Sequence, residues 1–264
     1  MRVQKITKIA VISDIHANAD ALNMVLQEVE SMEIDTTVFL GDILTYGCQP
    51  LEVLELLNHY RNHNFCIFIK GNHDQLYFDL QSQDQKSDYE IPDFVQESAN
   101  WTLNQILGLK FEDYFLWRES YVFANIYFSH SNPFIYGDWS YLEDHNSLEK
   151  AFQELNSKNL FSGIFGHSHR KTLVSKEEGA IKRLDGNFAN IDKIDQLIVN
   201  VGSAGQPRGT GLSYALLEIK NNKLFKVQLN EVEVCLKNSI NLIKKAKFSS
   251  DTERLLLSFL EGFN

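Results

Sequence analysis

The segment Ile9-Ala10-Val11-Ile12-Ser13-Asp14-Ile15-His16 sets the architecture. Ile9–Ile12 is a continuous apolar run rich in β-branched residues, the pattern of a strand buried on both faces, and a carboxylate and an imidazole follow it at once. Outward from this stretch the alternation continues. Asn18 to Glu33 carries Ala21, Leu22, Val25, Leu26 and Val29 at helical spacing. Thr36–Leu40 reads as strand, Leu51–Tyr60 as a helix behind Pro50, and Phe65–Ile69 as strand again. The order β-α-β-α-β opens an α/β sheet.

From Gln75 to Ile126 the pattern turns helical and aromatic, with one helix expected through Trp101 and Leu103 to Leu109 and another over Phe111 to Trp117. The polar run from Gln81 to Glu90 reads as a loop. This region, residues 75–125, is expected as a helical insertion within a single domain spanning 1–264. Strands return at Ile126–Ser129, Leu160–Phe165, Lys171–Lys176, Ala180–Leu184, Leu197–Val201, Ser213–Ile219 and Leu224–Leu229, with a hairpin turn at Asn221–Lys223. So many strands without intervening helices suggest an antiparallel second half. The tail from 231 to 264 is helical, with stripes at Leu236, Ile240 and Ile243 and at Leu255, Leu256, Phe259, Leu260 and Phe263 that are expected to pack on the chain's own sheet.

A chain of 264 residues with 44% hydrophobic content, including 18 Phe, 10 Tyr and 3 Trp, has ample material for a core, which excludes disorder. No apolar run approaches the roughly 20 residues of a membrane span, and the sequence enters its first strand without a small-residue cleavage site, so a cytoplasmic location is expected. Cys48, Cys66 and Cys235 are odd in number and far apart, which argues for free thiols, with Cys66 in the core, and against a disulfide framework or a cysteine zinc site. A formal charge of −10 without a basic stripe ranks nucleic acid low as a partner. A phosphate-bearing substrate must be held locally, by metal ions or a few placed donors.

The conspicuous polar residues all follow strand-like runs, where open α/β sheets build their sites. Asp14 and His16 follow the first, Gly41-Asp42 the second, and Gly71-Asn72-His73-Asp74 the third. His130 follows Ile126–Ser129, and Gly166-His167-Ser168-His169 follows Leu160–Phe165. Each triplet by itself is common; five in succession are not. With extended backbone, the residues of the Asp14/His16 pair, and those of the His167/His169 pair, point the same way and can chelate one ion or bracket two. His59 and His63 have helical spacing but lie in the polar stretch HYRNHN without a third ligand, and His145 reads as loop.

The order DxH, GD, GNHD, H, GHxH resembles the calcineurin-like metallophosphoesterase superfamily, and Asn200-Val-Gly-Ser-Ala-Gly-Gln-Pro-Arg208 is similar to the NPGSxGQPR stretch of the bacterial branch related to diadenosine polyphosphate hydrolases. The resemblance implies a four-layer α/β/β/α sandwich with the helical insertion and helical tail as additions. It implies two divalent or mixed-valence metal ions, with manganese, iron and zinc as leading candidates. Asp14, His16, Asp42 and His169 would hold the first ion, and Asp42, Asn72, His130 and His167 the second. His73 would act as acid and Asp74 would orient it. The chain departs from the branch with Ser131-Asn132-Pro133 after His130, where HG is usual, and with Val201 where the branch has proline.

The activity implied is hydrolysis of phosphoanhydride or phosphodiester bonds in a small phosphate substrate, with diadenosine polyphosphates among the candidates. A general phosphodiesterase or phosphomonoesterase and a protein phosphatase are alternatives, as is a metal-binding scaffold without activity. The loop Gly202 to Gly209 is expected to touch substrate through Ser203, through N–H groups freed by its glycines, and through a bidentate Arg208. Tyr77, Phe78, Trp101 and Trp117 are candidates for stacking on a base, although most of them suit a core.

Overall fold

Strand β1 (Ile6–Ile12) is buried from Ile9 onward because it lies between two layers. Ala10 and Ile12 face a helical layer, while Ile9 and Val11 face a second sheet. The computed structural model describes residues 6–82, 91–191, 194–209 and 211–260. Of the polar run expected as a loop, 83–90 lie outside the described residues, as does Phe263.

Among the described residues the first sheet has seven strands. β1 pairs in parallel with β2 (Thr36–Phe39), β2 with β3 (Cys66–Ile69), and β3 with β4 (Trp117–Arg118). On its other side β1 runs antiparallel to β12 (Leu212–Lys220), which forms a hairpin with β13 (Lys223–Val232), and β10 (Phe188–Asn190) closes that edge. Asn221 and Asn222 take φ of 52° and 61°, as a two-residue hairpin turn requires. Helices α1 (Ala19–Glu30) and α2 (Pro50–Arg61) cover the outer face. The Asn18 side chain caps α1 by accepting from Ala21 N at 3.1 Å, and the expected apolar stripe from Ala21 to Val29 is buried.

The second sheet has the order β5 (Ser120–Phe123), β6 (Ile126–Ser129), β7 (Ser162–Phe165), β11 (Gln196–Val201), β8 (Lys171–Glu177), β9 (Ala180–Leu184). It is mixed and not antiparallel as expected: β6, β7 and β11 run parallel. Helix α5 (His145–Ser157), absent from the sequence expectations, connects β6 to β7. Its signal was Leu148, Ala151, Phe152 and Leu155 at helical spacing within a polar segment, and it makes His145 a first-turn residue and not loop. That stripe covers the outer face of the second sheet through Phe165, Val174 and Ile198. Helices, sheet, sheet and helix thus form the four layers.

The middle region holds α3 (Asn72–Gln81) and α4 (Asp93–Gln105). A helix over Phe111 to Trp117 does not form. A short 3-10 turn, Phe111–Asp113, leads into β4, where Trp117 and Arg118 extend the first sheet beside Phe68 and Ile69. The tail forms α6 (Lys237–Lys245) and α7 (Ser250–Ser258), whose Ile243 and Leu256, together with Leu260, join the main core as expected, while Leu257 is buried in place of Leu255, which is exposed. Ser249 ties α7 to α4 by donating from its N–H and hydroxyl to the Glu97 carboxylate at 2.7 and 2.6 Å. Cys66 is only partly buried, packed against the core, and all three cysteines are free. Among the described residues no helix is long and apolar enough to cross a membrane.

Candidate metal centre

The carboxyl ends of β1, β2, β3, β6 and β7 meet at one place, and the expected ligands stand there. Asp14, His16, Asp42 and His169 form one group in which the ligand atoms lie within 4.8 Å of one another, and Asp42, His130 and His167 form a second. Asp42 belongs to both, and Asn72 Oδ1 lies 3.0 Å from His130 Nε2. All of these but Asn72 are buried. The backbone that aims them is not extended as the sequence suggested. Asp14, His16, Asp42, His167 and His169 all take positive φ, between 48° and 64°. Such strain in non-glycine residues persists only where the surroundings over-determine it. Here the turns are laced together: Asp14, His16 and Ala17 donate from their N–H groups to the carbonyls of Gly41, Asp42 and Ile43, and Gly166 donates to His130 O.

Two glycines of the motifs are required by crowding. A Cβ on Gly71 would stand 2.1 Å from Asp42 Oδ1, and one on Gly166 would stand 1.9 Å from Ser13 Oγ and 2.5 Å from Asp14 Oδ2.

Each ligand imidazole turns its outer nitrogen to a backbone carbonyl. His16 Nδ1 faces Leu44 O at 3.2 Å, His130 Nδ1 faces Leu40 O at 2.8 Å, His167 Nε2 faces Trp139 O at 2.8 Å and His169 Nδ1 faces Gln206 O at 2.6 Å. A carbonyl only accepts, so those nitrogens carry the protons, and in a neutral ring the inner nitrogen presents a lone pair. The inner nitrogens crowd together: His16 and His169 meet at 3.1 Å, and His130 and His167 at 3.2 Å. Inner nitrogens so close repel where both present lone pairs, and a cation drawn between them, or on His130 a second proton that a metal ion would displace, relieves this. Asp14 Oδ1, also buried there, has no hydrogen-bond partner. Carboxylate, imidazole and amide oxygen donors without thiolate fit divalent transition metals.

Burial by itself would raise Asp14 and Asp42, but the facing imidazoles outweigh it and hold both well below the usual carboxylate range. Burial pushes His73 down to about 3 and His167 and His169 down to about 4, so these three stay neutral. Burial opposes charge on His130 too, but Asp42, 3.3 Å away, overrides it and lifts that ring to about 9. Two anionic carboxylates among mostly neutral rings attract cations.

His73 stands beside the cluster, its Nε2 4.0 Å from Asp42 Oδ2 and 3.1 Å from the Tyr46 hydroxyl, while its Nδ1 is buried without a partner. Asp74 is not among its hydrogen-bond partners. That carboxylate accepts from the N–H groups of Asp42 at 2.7 Å, Gly71 at 2.8 Å and Ile43 at 3.1 Å, so it clamps the Asp42 turn to the start of α3. Ser203 also differs from expectation. It is fully buried, and its hydroxyl donates to Asp14 O at 2.7 Å and accepts from Gln206 N at 2.7 Å, so its polar atom is engaged within the protein. The N–H groups of Ala204, Gly205 and Arg208 likewise donate to Ser13 O, Asp14 O and His169 O. The loop therefore braces the ligands, and only the Arg208 side chain faces the opening.

That opening is a cavity of about 350 Å³ lined by Asp42, Asn72, His73, His167, His169 and Arg208, with aromatic walls of Tyr46, Phe94, Trp139 and Tyr141. A larger hollow of about 840 Å³ between α1, α2 and the 233–238 segment shares none of these residues. The aromatics expected to stack on a base are elsewhere: Tyr77 is fully buried against Thr45, and Phe78, Trp101 and Trp117 pack on the core. The walls that replace them were legible in part. Asn132, where the sequence departs from the branch, donates to Asp138 O at 2.8 Å and Ser140 O at 3.0 Å and accepts from Phe134 N at 3.0 Å, folding the loop that carries Trp139 and Tyr141. Tyr141 stacks on His167 at 4.6 Å. His59 and His63 stay apart at the end of α2, where His63 Nδ1 meets His59 O at 3.0 Å.

Residues 7–222 match the calcineurin-like phosphoesterase superfamily domain. The chain is 34% identical over 242 residues to an uncharacterized protein, MJ0912, of Methanocaldococcus jannaschii, covering 90% of this chain and 92% of that one. Its fold is similar to a metallophosphoesterase from Sphaerobacter thermophilus, with TM-score 0.74, 22% identity and coverage of 97% of this chain and 100% of the other. It is similar as well to the hypothetical protein PH1004 from Pyrococcus horikoshii OT3, with TM-score 0.74, 21% identity and coverage of 95% and 97%. The matched segment contains every side chain of the cluster and the relative aligns along nearly its whole length, so the chain belongs to the calcineurin-like phosphoesterase superfamily and is a phosphoester hydrolase.

Proposed function

We propose that the protein is a two-metal phosphohydrolase acting on phosphodiester or phosphoanhydride bonds of small nucleotide-like substrates, diadenosine polyphosphates among them. The observation that carries this reading is the convergence of two ligand groups on Asp42, with every ligand imidazole fixed from behind by a carbonyl. Divalent ions bound there supply Lewis-acid polarisation of phosphoryl oxygens and a water activated for in-line attack. The chain's own groups do the rest. Arg208, whose Nε is buried without a partner, holds non-bridging phosphate oxygens. His73, outside both ligand groups and neutral in the free protein, takes up a proton when the anionic phosphate of the substrate comes to lie beside it and passes that proton to the departing oxygen. Tyr46 and Phe94 on one wall and Trp139 and Tyr141 on the other narrow the cavity and offer ring faces to an organic group.

The test is a screen of purified protein, loaded with manganese, iron or zinc, against aryl phosphomonoesters and diesters, cyclic nucleotides and dinucleotide polyphosphates. Hydrolysis that chelation abolishes is expected, fastest with nucleotide anhydrides or diesters. His73→Ala should retain metal by elemental analysis and lose roughly 10²–10⁴-fold on poor leaving groups, with a smaller loss on activated aryl esters. Equal losses on both ester classes would remove His73 from the acid role, and preference for a phosphoprotein would overturn the substrate assignment.

A further inference from the structure

A second cavity, of about 230 Å³, opens on the other side of His167. It shares Tyr141 and His167 with the cavity over the metal ligands, so the stacked Tyr141–His167 pair is the partition between the two. Its floor is apolar, built from Leu148, Phe165, Val174 and Ile198 between α5 and the second sheet, and its lining includes Arg170 and Arg183. Arg183 Nη2 donates to Glu143 O at 2.7 Å, which holds the side chain over the cavity. Among the described residues the Arg170 guanidinium has no hydrogen-bond or ion-pair partner. Two cations against one lining carboxylate, Glu143, leave the site positive on a chain whose net charge is −10.

The volume falls below the roughly 300 Å³ at which complete ligand pockets begin, which suits part of a ligand. An apolar floor with two arginines in the lining suits an organic group that carries phosphate. Arg208 lines the first cavity and not the second, whereas Arg170 and Arg183 line the second and not the first. Fixed positive charge therefore flanks the metal ligands on both sides of the partition. A simple phosphomonoester has nothing to place on the second side.

We infer that Arg170 and Arg183 form a subsite for the distal phosphate and nucleoside of a substrate with anionic groups on both sides of the scissile bond, with Tyr141 as the dividing wall. This rests on the phosphohydrolase reading above and extends it to the substrate class. Both arginines are exposed, so their replacement leaves the core intact.

The test is the double variant Arg170→Ala/Arg183→Ala beside Lys182→Ala, which removes a charge from the same strand without lining the cavity. KM for diadenosine tetraphosphate should rise about tenfold or more, as expected for losing charged hydrogen bonds, with KM for bis(4-nitrophenyl) phosphate unchanged. Titration with the non-hydrolysable adenosine 5′-methylenediphosphonate should show a matching loss of affinity in the double variant and none in Lys182→Ala. Equal KM changes on both substrates, an unchanged affinity, or an affinity loss shared by Lys182→Ala would overturn the subsite. Absence of hydrolysis of every ester would sink the phosphohydrolase reading instead. The titration would then still decide the subsite, which falls if the wild-type protein binds no analogue.

Discussion

In the cluster of ligand side chains each ligand imidazole has one nitrogen held by a carbonyl, each turn is laced to its neighbour, and the Asp74 carboxylate clamps three N–H groups. Across the cavity above it two side chains, Tyr141 and Arg208, are less constrained. Tyr141 is 44% exposed, and the Arg208 guanidinium rests over the Phe259 ring at 5.4 Å with its Nε unpaired. The contrast separates two tasks. Groups that must meet metal ions are preorganised, so no reorganisation accompanies the reaction. Groups that select a substrate keep their freedom until one arrives.

The sharpest way to break this contrast is Asp42→Asn. Because Asp42 belongs to both ligand groups, the variant should lose most bound metal and nearly all activity, more than the roughly 10–100-fold that removal of an outer-shell partner costs. Full metal occupancy by elemental analysis would contradict a shared ligand.

Asp74→Ala separates clamping from orientation of His73. Three buried N–H groups would lose their acceptor, at about 1–3 kcal/mol each, so the melting temperature and metal content should fall together with activity. A fall in kcat at unchanged melting temperature and metal content would restore an orienting role.

Arg208→Ala probes the loose side. It should retain metal and stability while KM rises roughly tenfold or more for multi-phosphate substrates, with little change for a simple aryl ester. An equal rise for both would make Arg208 a general anchor.

The smallest effect concerns the thiols. Burial pushes Cys48 and Cys66 up to about 12, whereas Cys235 is exposed. At about pH 8 iodoacetamide should label Cys235 rapidly and the other two only on unfolding, with activity retained. Mass spectrometry of the labelled protein reads this directly, and rapid labelling of Cys66 would show that its environment opens.

The cluster was legible because local rules fix it. A buried strand must end in a turn, and the residues Asp14, Asp42, Asn72, His130 and His167 each stand two or three positions past an apolar run that reads as strand. The helix α5 was legible in principle, as Leu148, Ala151, Phe152 and Leu155 have helical spacing, but its polar surroundings hid it, and with it the parallel pairing of β6 and β7. β4 was not legible at all: two residues, Trp117 and Arg118, become a strand only because Phe68 and Ile69 offer them an edge.

Sequence alone determined which atoms can ligate metal, since residue type and order along the chain fix donor chemistry whatever the packing. Tertiary structure decided what the remaining motif residues do. Asp74 and Ser203 have the same hydrogen-bonding capacity wherever they sit, and while the local helix cap brings Gly71 to Asp74, only the fold places Asp42, Ile43 and Asp14 within their reach. It decided the cavity walls as well. An aromatic side chain serves a core or a binding site equally well, and which it does depends on neighbours distant in sequence: Trp101 packs on Phe248, while Tyr46 turns to His73.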